Sequence, residues 1–364
     1  MLIRYLDKIY ENTNTFKNNT LVLRLILSFI VFYSHYFATY GIQEPKLIFG
    51  IHSLGWYAVN LFFLISGILI SQSYRNRDFI SYASSRVLRV FPAYLAGIFI
   101  SIFLPILFSN VTNSGLTLTI ESANIFFSNL FPISMFEGSI KGAWGNTSMP
   151  GVLNTSLWTI PFEVLSYFFI VPIFYDNKIK IYSKIILMTV FLYFLTNLNI
   201  VIISELRYDL LRVFGYYIIG IGIFRLCVNK KINLPLIIGL SFIYYCEPIL
   251  QEFLLNLFLI TATVHVGFSV RQISSMSSDY SYAIYLFAWP VSQATTTLMN
   301  SNIYIEIAVA SAALLLLSIA SWKLIEKPCL KSKDSLSDFI RSHVSQDSRL
   351  FSDKAHMKTQ STTS

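Results

Sequence analysis

Arg24 and His35 are two ionisable side chains inside a stretch, residues 21–40, that is otherwise apolar enough to cross a bilayer. Each such group costs roughly a few kcal/mol at membrane depth, so ionisable groups there usually face a protein interior or a wet cavity. Their spacing of eleven residues turns a helix through about 1100°, three turns plus about 20°, and rises about 16 Å. The two side chains therefore share a face at different depths. Because histidine exchanges a proton near neutral pH, the pair predicts acid–base chemistry in the membrane.

A structural explanation of this pair stands beside the functional one. An arginine near a helix end can snorkel to the interface, and a histidine can form a hydrogen bond between helices. Snorkelling explains Arg24 as well as a functional role does. It explains His35 poorly, so His35 is the stronger candidate of the two.

Asn60 and Ser66 are polar interruptions of the second apolar stretch, GWYAVNLFFLISGILIS at 55–71. Ser66 and Gly67 form a small pair that permits the close approach of another helix. Helix packing with one interhelical hydrogen bond is the better explanation on physical grounds, and a substrate pocket is the alternative.

Arg86 and Arg89 lie three residues apart, just before Pro92, which is expected to begin the third helix. Residues three apart share a helix face, so their two guanidinium groups can bind one polyanion. Ordinary positive charge at the cytoplasmic side is the alternative, and it accounts fully for Arg75 and Arg77.

Glu163 lies one turn into a further apolar helix, in the segment WTIPFEVLSY that runs from Trp158 to Tyr167. A glutamate in a membrane needs a partner, and Arg24 or a protonated His35 are the candidates. A structural salt bridge therefore competes with a catalytic role for this residue.

The composition defines the class of protein in which these residues must be positioned. Hydrophobic residues make up 54% of the 364-residue chain and charged residues only 13%, about half the share in soluble chains. The apolar runs are too long and continuous for barrel strands. We therefore expect an all-α, polytopic membrane protein.

The chain has a net charge of +8, and its basic residues lie in short clusters at alternate ends of the apolar segments. This is the positive-inside pattern, and it argues against a nucleic-acid partner. The three cysteines are scattered and form neither a disulfide framework nor a metal-ligand pattern, so no metal is expected.

The apolar segments predict about ten transmembrane helices with both termini in the cytoplasm. The expected spans are 21–40, 53–73, 92–109, 157–175, 185–203, 209–227, 234–249, 252–269, 280–299 and 304–325. In this arrangement the outward segments carry only four of the 27 basic residues: Lys46, Lys141, Arg207 and Arg212.

The membrane domain is expected to cover residues 21–330. A cytoplasmic segment, 1–20, precedes it, and a long outer loop at about 110–156 contains an amphipathic or re-entrant piece at 120–135. A polar cytoplasmic tail, 331–364, is expected to be disordered apart from a short helix.

Taken in order, these motifs resemble the acyltransferase 3 family of integral membrane acyltransferases, the saccharide O-acetyltransferase type. The resemblance covers about residues 21–330. Its motifs are Arg24-x10-His35, AVNLFFLISGILIS, Arg86-x-x-Arg89 before Pro92, LWTIPFEVLSY, SYAIYLFAWP and Ile325-Glu326-Lys327-Pro328.

The resemblance implies an enzyme of the inner (plasma) membrane that takes an acyl group, commonly acetyl, from cytoplasmic acyl-CoA. The acceptors are typically hydroxyls of cell-envelope saccharides such as O-antigen, exopolysaccharide or peptidoglycan, or of a lipid-linked precursor. Acetyl-CoA is then a co-substrate, and no bound cofactor is expected.

The resemblance also implies roles for single residues. It makes His35, Arg24 and Glu163 catalytic, and it gives the acyl donor to Arg86 and Arg89. The remaining candidates for a substrate pocket are Asn60, Ser66, Trp158 and Tyr167.

Acyl transfer to a hydroxyl requires a base or an acyl carrier, and His35 can serve as either, with Glu163 or a neighbour orienting its ring. Arg24 can stabilise the oxyanion or orient the donor. Many relatives have an aspartate at the position of Asn60, so no charged role is expected there.

Two other classes of membrane protein are alternatives. A polysaccharide flippase or transporter would move a glycan without consuming acyl-CoA and would not depend on a single histidine. A membrane polysaccharide polymerase would be expected to place essential basic residues in its outer loops, which here are nearly free of them.

Overall fold

The computed structural model describes residues 18–109, 115–117, 119–132, 138–145, 147–175, 204–228, 248–269, 271–273, 276–299 and 301–343. Within these ranges the chain is helical and forms no strand, as expected for an all-α protein. The helices are α1 Thr20–Thr39, α2 Leu54–Arg75, α3 Phe79–Leu107, α4 Ile120–Ser128, α5 Ile160–Tyr175, α6 Ser204–Val228, α7 Pro248–Val264, α8 Ser281–Met299, α9 Ile303–Ser321 and α10 Lys327–Lys331.

Five stretches of helix in the described ranges are long and apolar enough to cross a membrane. They are Thr20–Thr39, Leu54–Arg75, Phe79–Leu107, Leu250–Phe268 and Ile303–His343. A shorter apolar helix covers Thr155–Val171. The chain is therefore a multi-pass membrane protein. The predicted span 185–203, and 234–249 apart from its last two residues, lie outside the described residues.

Helix α8 is the centre of the bundle. It packs against α1, α3 and α9, and every residue from 281 to 296 is buried. Because it is covered by protein on all sides, α8 tolerates hydroxyl and amide side chains that a lipid-facing helix would expose at a cost.

Helices α2 and α6 touch through glycine, as the Ser66–Gly67 pair predicts. A Cβ atom on Gly67 would lie 2.2 Å from the carbonyl oxygen of Tyr217, and one on Gly220 would lie 2.3 Å from that of Leu64. Only glycine permits this backbone approach, which is the usual way in which membrane helices pack tightly.

The expectation that Pro92 begins the third helix is wrong. Helix α3 begins at Phe79, where the side chain of Asp78 accepts a hydrogen bond from the Ser81 N–H at 3.3 Å, and Pro92 lies in its interior. A proline removes one backbone hydrogen bond, but helices packed against neighbours in a membrane tolerate that loss. Arg86 and Arg89 are therefore helical residues that face the bundle.

The region between α3 and α5 contains the short helix α4, which starts at a Thr119–Ser122 capping box inside the predicted 120–135 piece. A loop, 138–152, then docks on the end of α1, where the Ser148 N–H donates to the Thr39 carbonyl at 2.9 Å. The chain continues after α9 through a π-helical turn, Trp322–Glu326, and α10 to a last helix at 333–343.

Candidate active site

Six of the predicted site residues line one cavity of about 660 Å³ at the end of the bundle where the arginines of α2 and α3 cluster. We call this the basic cavity. Its predicted residues are Arg24, Ser66, Arg86, Arg89, Glu163 and Tyr167. Arg77 and Lys333 also line it, so four arginines and one lysine surround the space, and among the described lining residues only Glu163 has a carboxylate.

Arg24 and Arg89 are tied to carboxylates beside this cavity. Asp279 accepts from Arg89 at 2.6 Å and lies 3.1 Å from Arg24, and Glu326 accepts from Arg89 at 3.4 Å. The rings of Tyr282 and Trp322 cover the Arg89 guanidinium at 5.3 and 5.8 Å. Two cations thus meet two buried carboxylates, and the network as a whole is close to neutral.

The charge of Asp279 depends on these arginines. Burial alone would raise the pKa of this carboxyl, but Arg24, Arg89 and the hydrogen bonds from Ser281 outweigh burial and lower it. Asp279 lies just before α8, next to the SYAIYLFAWP motif. Glu326 ends a π-helical turn, a widened helix geometry often found at functional sites, and belongs to the Ile325–Pro328 motif. The sequence does not indicate which arginines these two carboxylates contact.

Arg86 differs from Arg89 in having no carboxylate partner among the described residues. Its Nη2 donates to Ser73 Oγ at 3.3 Å, and its guanidinium lies over the rings of Tyr82 and Tyr167 at 5.9 and 5.7 Å. Its Nε is buried without a hydrogen-bond partner. Arg86 therefore has guanidinium N–H groups that remain available to donate hydrogen bonds to a bound anion.

Glu163 is held at the wall of the basic cavity by α5. The Tyr82 hydroxyl donates to the Tyr167 carbonyl at 3.0 Å and fixes this helix against α3, and the Tyr167 hydroxyl donates to Glu163 Oε1 at 2.5 Å. The expected ion pair of Glu163 with Arg24 or His35 does not form. Among the described residues, Arg24 pairs with Asp279 and His35 lies beside Glu44.

A second, narrow cavity of about 50 Å³ adjoins the basic cavity. The two share Arg24, Ser66 and Glu163 as lining residues. Along α2 the lining of the narrow cavity steps from Ser66 back to Val59, about two turns further from the basic end. The narrow cavity therefore continues the basic cavity towards the middle of the bundle.

His35 lines neither of these cavities and lies nearer the opposite end of α1. Its Nδ1 is 3.9 Å from Glu44 Oε1, and its ring meets that of Trp289 edge to face at 5.7 Å. Ser34 Oγ donates to the other Glu44 oxygen and accepts from the Gly55 N–H at 3.0 Å. A carboxylate beside an imidazole orients the ring and stabilises its protonated form.

Glu44 is a charged group under strong local control. Burial raises its pKa, but the attraction of His35 at 3.9 Å, the hydrogen bond from Ser34 and the nearby Ser53 side chain outweigh burial and lower the pKa to about 2. Sequence reasoning missed Glu44. The available signal was a carboxylate in the short loop directly after the helix that carries His35.

Asn60 and Trp158 belong to a third group, which surrounds Arg212. The Arg212 guanidinium donates to Asn60 Oδ1 at 2.6 Å and lies over the rings of Trp56 and Trp158 at 4.9 and 5.7 Å. Asp209 supplies its carboxylate at 2.5 Å. The predicted substrate pocket is thus divided: Ser66 and Tyr167 line the basic cavity, whereas Asn60 and Trp158 hold Arg212.

A helical membrane protein with a basic cavity at one end and a histidine–carboxylate pair towards the other has the parts of a membrane-embedded group-transfer enzyme. Comparison with known proteins defines the group transferred. The acyltransferase 3 family model, described as an acyltransferase domain, matches residues 21–324. The chain belongs to this family and is an acyltransferase.

The chain is also similar to a protein named O-acetyl transferase from Shigella phage Sf6. The two are 28% identical over 332 residues, which cover 86% of this chain and 96% of that relative. No solved structure matches the chain significantly.

Proposed function

We propose that the protein transfers an acetyl group from cytoplasmic acetyl-CoA to a hydroxyl of a cell-envelope saccharide, such as O-antigen or exopolysaccharide, or of its lipid-linked precursor. The observation that carries the proposal is the basic cavity, in which Arg86 meets no carboxylate from the described part of the chain while Arg77 and Lys333 add further positive charge. The name of the phage relative supports acetyl as the group and oxygen as the acceptor atom.

The donor suits the basic cavity because coenzyme A carries a diphosphate and a 3′-phosphate. Guanidinium groups bind phosphate oxygens through paired hydrogen bonds, and a lysine adds a point charge. A cavity of about 660 Å³ is within the usual range for a bound cofactor-sized molecule. Of the two arginines in the Arg86-x-x-Arg89 motif, Arg86 has the free donors, and Arg89 serves mainly to hold Asp279 and Glu326.

The orientation follows from the same charges. The basic end of the bundle is cytoplasmic under the positive-inside rule, so the donor enters from the cytoplasm. The ten-span arrangement, with both termini in the cytoplasm of an inner-membrane protein, is part of this proposal. His35 and Glu44 then lie in the outer half, where an exported glycan is accessible.

The transfer uses His35 as the base. The acceptor hydroxyl gives its proton to His35, its oxygen forms a C–O bond with the thioester carbonyl carbon, and the C–S bond breaks. The electron pair leaves with sulfur as the CoA thiolate, which then takes up a proton. Glu44 stabilises the protonated His35, and Arg24 is a cation at the junction of the two cavities.

The test combines the glycan and the enzyme. Membranes that contain the protein and its endogenous glycan are incubated with acetyl-CoA labelled in the acetyl group, and NMR of the purified glycan is compared with that from cells that lack the gene. Labelled O-acetyl esters that disappear with the gene support the proposal. A change in glycan chain length without loss of acetyl signals would favour a polymerase, and loss of exported glycan a flippase.

A further inference from the structure

The volume of the narrow cavity, which lies between the basic cavity and the middle of the bundle, limits the size of the group that it can hold. A water molecule needs roughly 10–15 Å³ of such space. At about 50 Å³ the narrow cavity therefore holds about four atoms other than hydrogen. The space is small compared with the basic cavity that leads to it.

Two residues that line the narrow cavity each have a buried hydrogen-bond donor without a partner among the residues that the structure describes. The donors are the Tyr282 hydroxyl and Arg24 Nε. Buried donors are nearly always satisfied in folded proteins, and an orphaned one needs an explanation. Two such donors around one small cavity indicate a ligand with an acceptor oxygen.

Apolar side chains form the α2 side of the lining. The polar side chains that complete the lining are Ser66, Glu163, Ser166 and Ser281. Val59, Phe62 and Phe63 line the α2 side, and the Phe62 ring meets that of Tyr285 edge to face at 6.1 Å. The Tyr285 hydroxyl is hydrogen-bonded to Thr159 Oγ1 at 2.8 Å. Aromatic side chains that are fixed in this way do not move aside easily for a longer chain.

We propose that the narrow cavity is the acyl-group pocket and that Phe62 and Tyr285 restrict the enzyme to two-carbon acyl chains. An acetyl thioester presents four such atoms to the pocket: methyl carbon, carbonyl carbon, oxygen and sulfur. Tyr282 and Arg24 donate to the carbonyl oxygen, and the methyl group contacts the phenylalanines. This inference rests on the proposed function. It assigns to the pocket the binding and selection of the acetyl thioester before transfer, because His35, the proposed base, does not line the pocket.

The Tyr282 and Arg24 donors also orient the thioester in the pocket. A carbonyl oxygen that accepts from them satisfies two buried donors that would otherwise be unpaired. Arg24 is already tied to Asp279 through Nη1, which fixes the position of its remaining Nε–H. Tyr282 is thus an acyl-donor-binding residue that sequence patterns did not single out.

The test measures chain-length preference. Membranes containing the full-length protein and its endogenous glycan receive acetyl-, propionyl- or butyryl-CoA with radiolabel in the acyl group, and label in the purified glycan is counted. One added methylene changes selectivity in a tight apolar pocket by about 10–200-fold, so we expect acetyl to exceed butyryl by about 100-fold or more. The Phe62→Ala variant should reduce this ratio at least about tenfold by gaining butyryl transfer.

Controls make the outcome specific. Phe99→Ala removes a ring that is 55% exposed on α3 and lines neither cavity, and it should leave the ratio unchanged. Val59→Ala enlarges the pocket more gently, and it replaces Phe62→Ala if that variant does not accumulate in membranes. Butyryl transfer by the wild type within about tenfold of acetyl would overturn the inference and leave the proposed function intact. Transfer from none of the three thioesters would contradict both.

The Tyr282→Phe variant tests the carbonyl contact separately. The hydroxyl supplies one hydrogen bond to the bound thioester, so its loss should raise KM for acetyl-CoA by about two- to tenfold. We expect kcat to change by less than about twofold, because the contact is made before transfer. An unchanged KM would remove Tyr282 from the pocket.

Discussion

Arg89 and Asp279 form a buried ion pair, 2.6 Å between Nη2 and Oδ2, that joins the interior of α3 to the start of α8. Arg24 of α1 shares the same carboxylate oxygen at 3.1 Å. One carboxylate therefore links three helices at the basic end of the bundle. Arg86, one turn before Arg89, has no such partner, so the two arginines of the motif have different environments and different expected roles.

Replacement of Asp279 by asparagine should destabilise the protein. Removing one partner of a buried ion pair leaves the other charge uncompensated and costs about 3–5 kcal/mol, which a lower unfolding temperature of the purified protein in detergent will measure. The double variant with Arg89→Gln should lose less than the sum of the two single variants, because the residues interact directly. Asp78→Asn is the control. It removes the carboxylate of the exposed ion pair with Arg341 but keeps an N-capping side chain, so its unfolding temperature should stay close to that of the wild type. Additive losses would contradict the proposed coupling.

Arg86→Ala should weaken the binding of acyl-CoA without unfolding the protein. A hydrogen bond to a charged group contributes about 1.5–3 kcal/mol, which corresponds to an increase of about 10–100-fold in KM. The dependence of KM on salt should also decrease, because one ionic contact is lost. Arg86→Lys keeps the charge and should restore part of the affinity. A KM equal to that of the wild type would assign the donor contact elsewhere.

The sequence predicted an ion pair of Glu163 with Arg24 or His35 and a separate role for Arg86, whereas the structure brings Arg24, Arg86 and Glu163 to one cavity. The sequence did not predict the partners of these residues. Arg89 and Asp279 are 190 positions apart, and only the packing of helices decides which carboxylate each arginine meets. Helix α5 is apolar nearly all round, so periodicity does not indicate which of its faces Glu163 occupies.

The start of α3 and the role of Asn60 could not be predicted from local sequence patterns either, because both depend on contacts with other helices. Pro92 has the features of a helix start, and only the packed neighbours make it acceptable in a helix interior. Asn60 lacks the charge expected from relatives, yet its amide oxygen accepts from Arg212, whose carboxylate comes from Asp209 on the same helix. The structure thus meets the requirements of Arg212 with a neutral side chain and a nearby acid.

Gly67→Ala should loosen the contact between α2 and α6. The added Cβ would lie 2.2 Å from the Tyr217 carbonyl oxygen, and overpacking of this kind costs typically about 1–3 kcal/mol. Gly215→Ala is a matched control on α6, since a Cβ there meets nothing within 4 Å. We expect a lower unfolding temperature in detergent for the first variant and an equal or higher one for the second. Equal behaviour of the two variants would contradict the glycine contact.

The pair of His35 and Glu44 predicts a loss of stability in acid. The pKa of Glu44 is about 2 in the folded protein and 4.5 for the free side chain. A lowered folded pKa contributes stability that is complete above about pH 4.5 and is lost as the pH falls towards about 2, at most about 3 kcal/mol. Unfolding temperatures measured from about pH 6 down to about pH 2 should fall less steeply in Glu44→Gln than in the wild type. Parallel curves would separate Glu44 from the acid response.

His35→Ala should abolish acetylation of the glycan while the protein still inserts and folds. His35 is the proposed base, and general-base catalysis contributes about 10²–10⁴-fold, so label transferred from acetyl-CoA should fall by at least about 100-fold. The affinity for acetyl-CoA should hold, because the donor site lies in the basic cavity and His35 does not line it. Glu44→Gln tests the partner: it keeps the shape but removes the charge that stabilises protonated His35, so kcat should fall by about tenfold or more with little change in KM. A variant without His35 that still acetylates at the wild-type rate would require another base, and Glu163 at the junction of the two cavities would then be the first residue to replace.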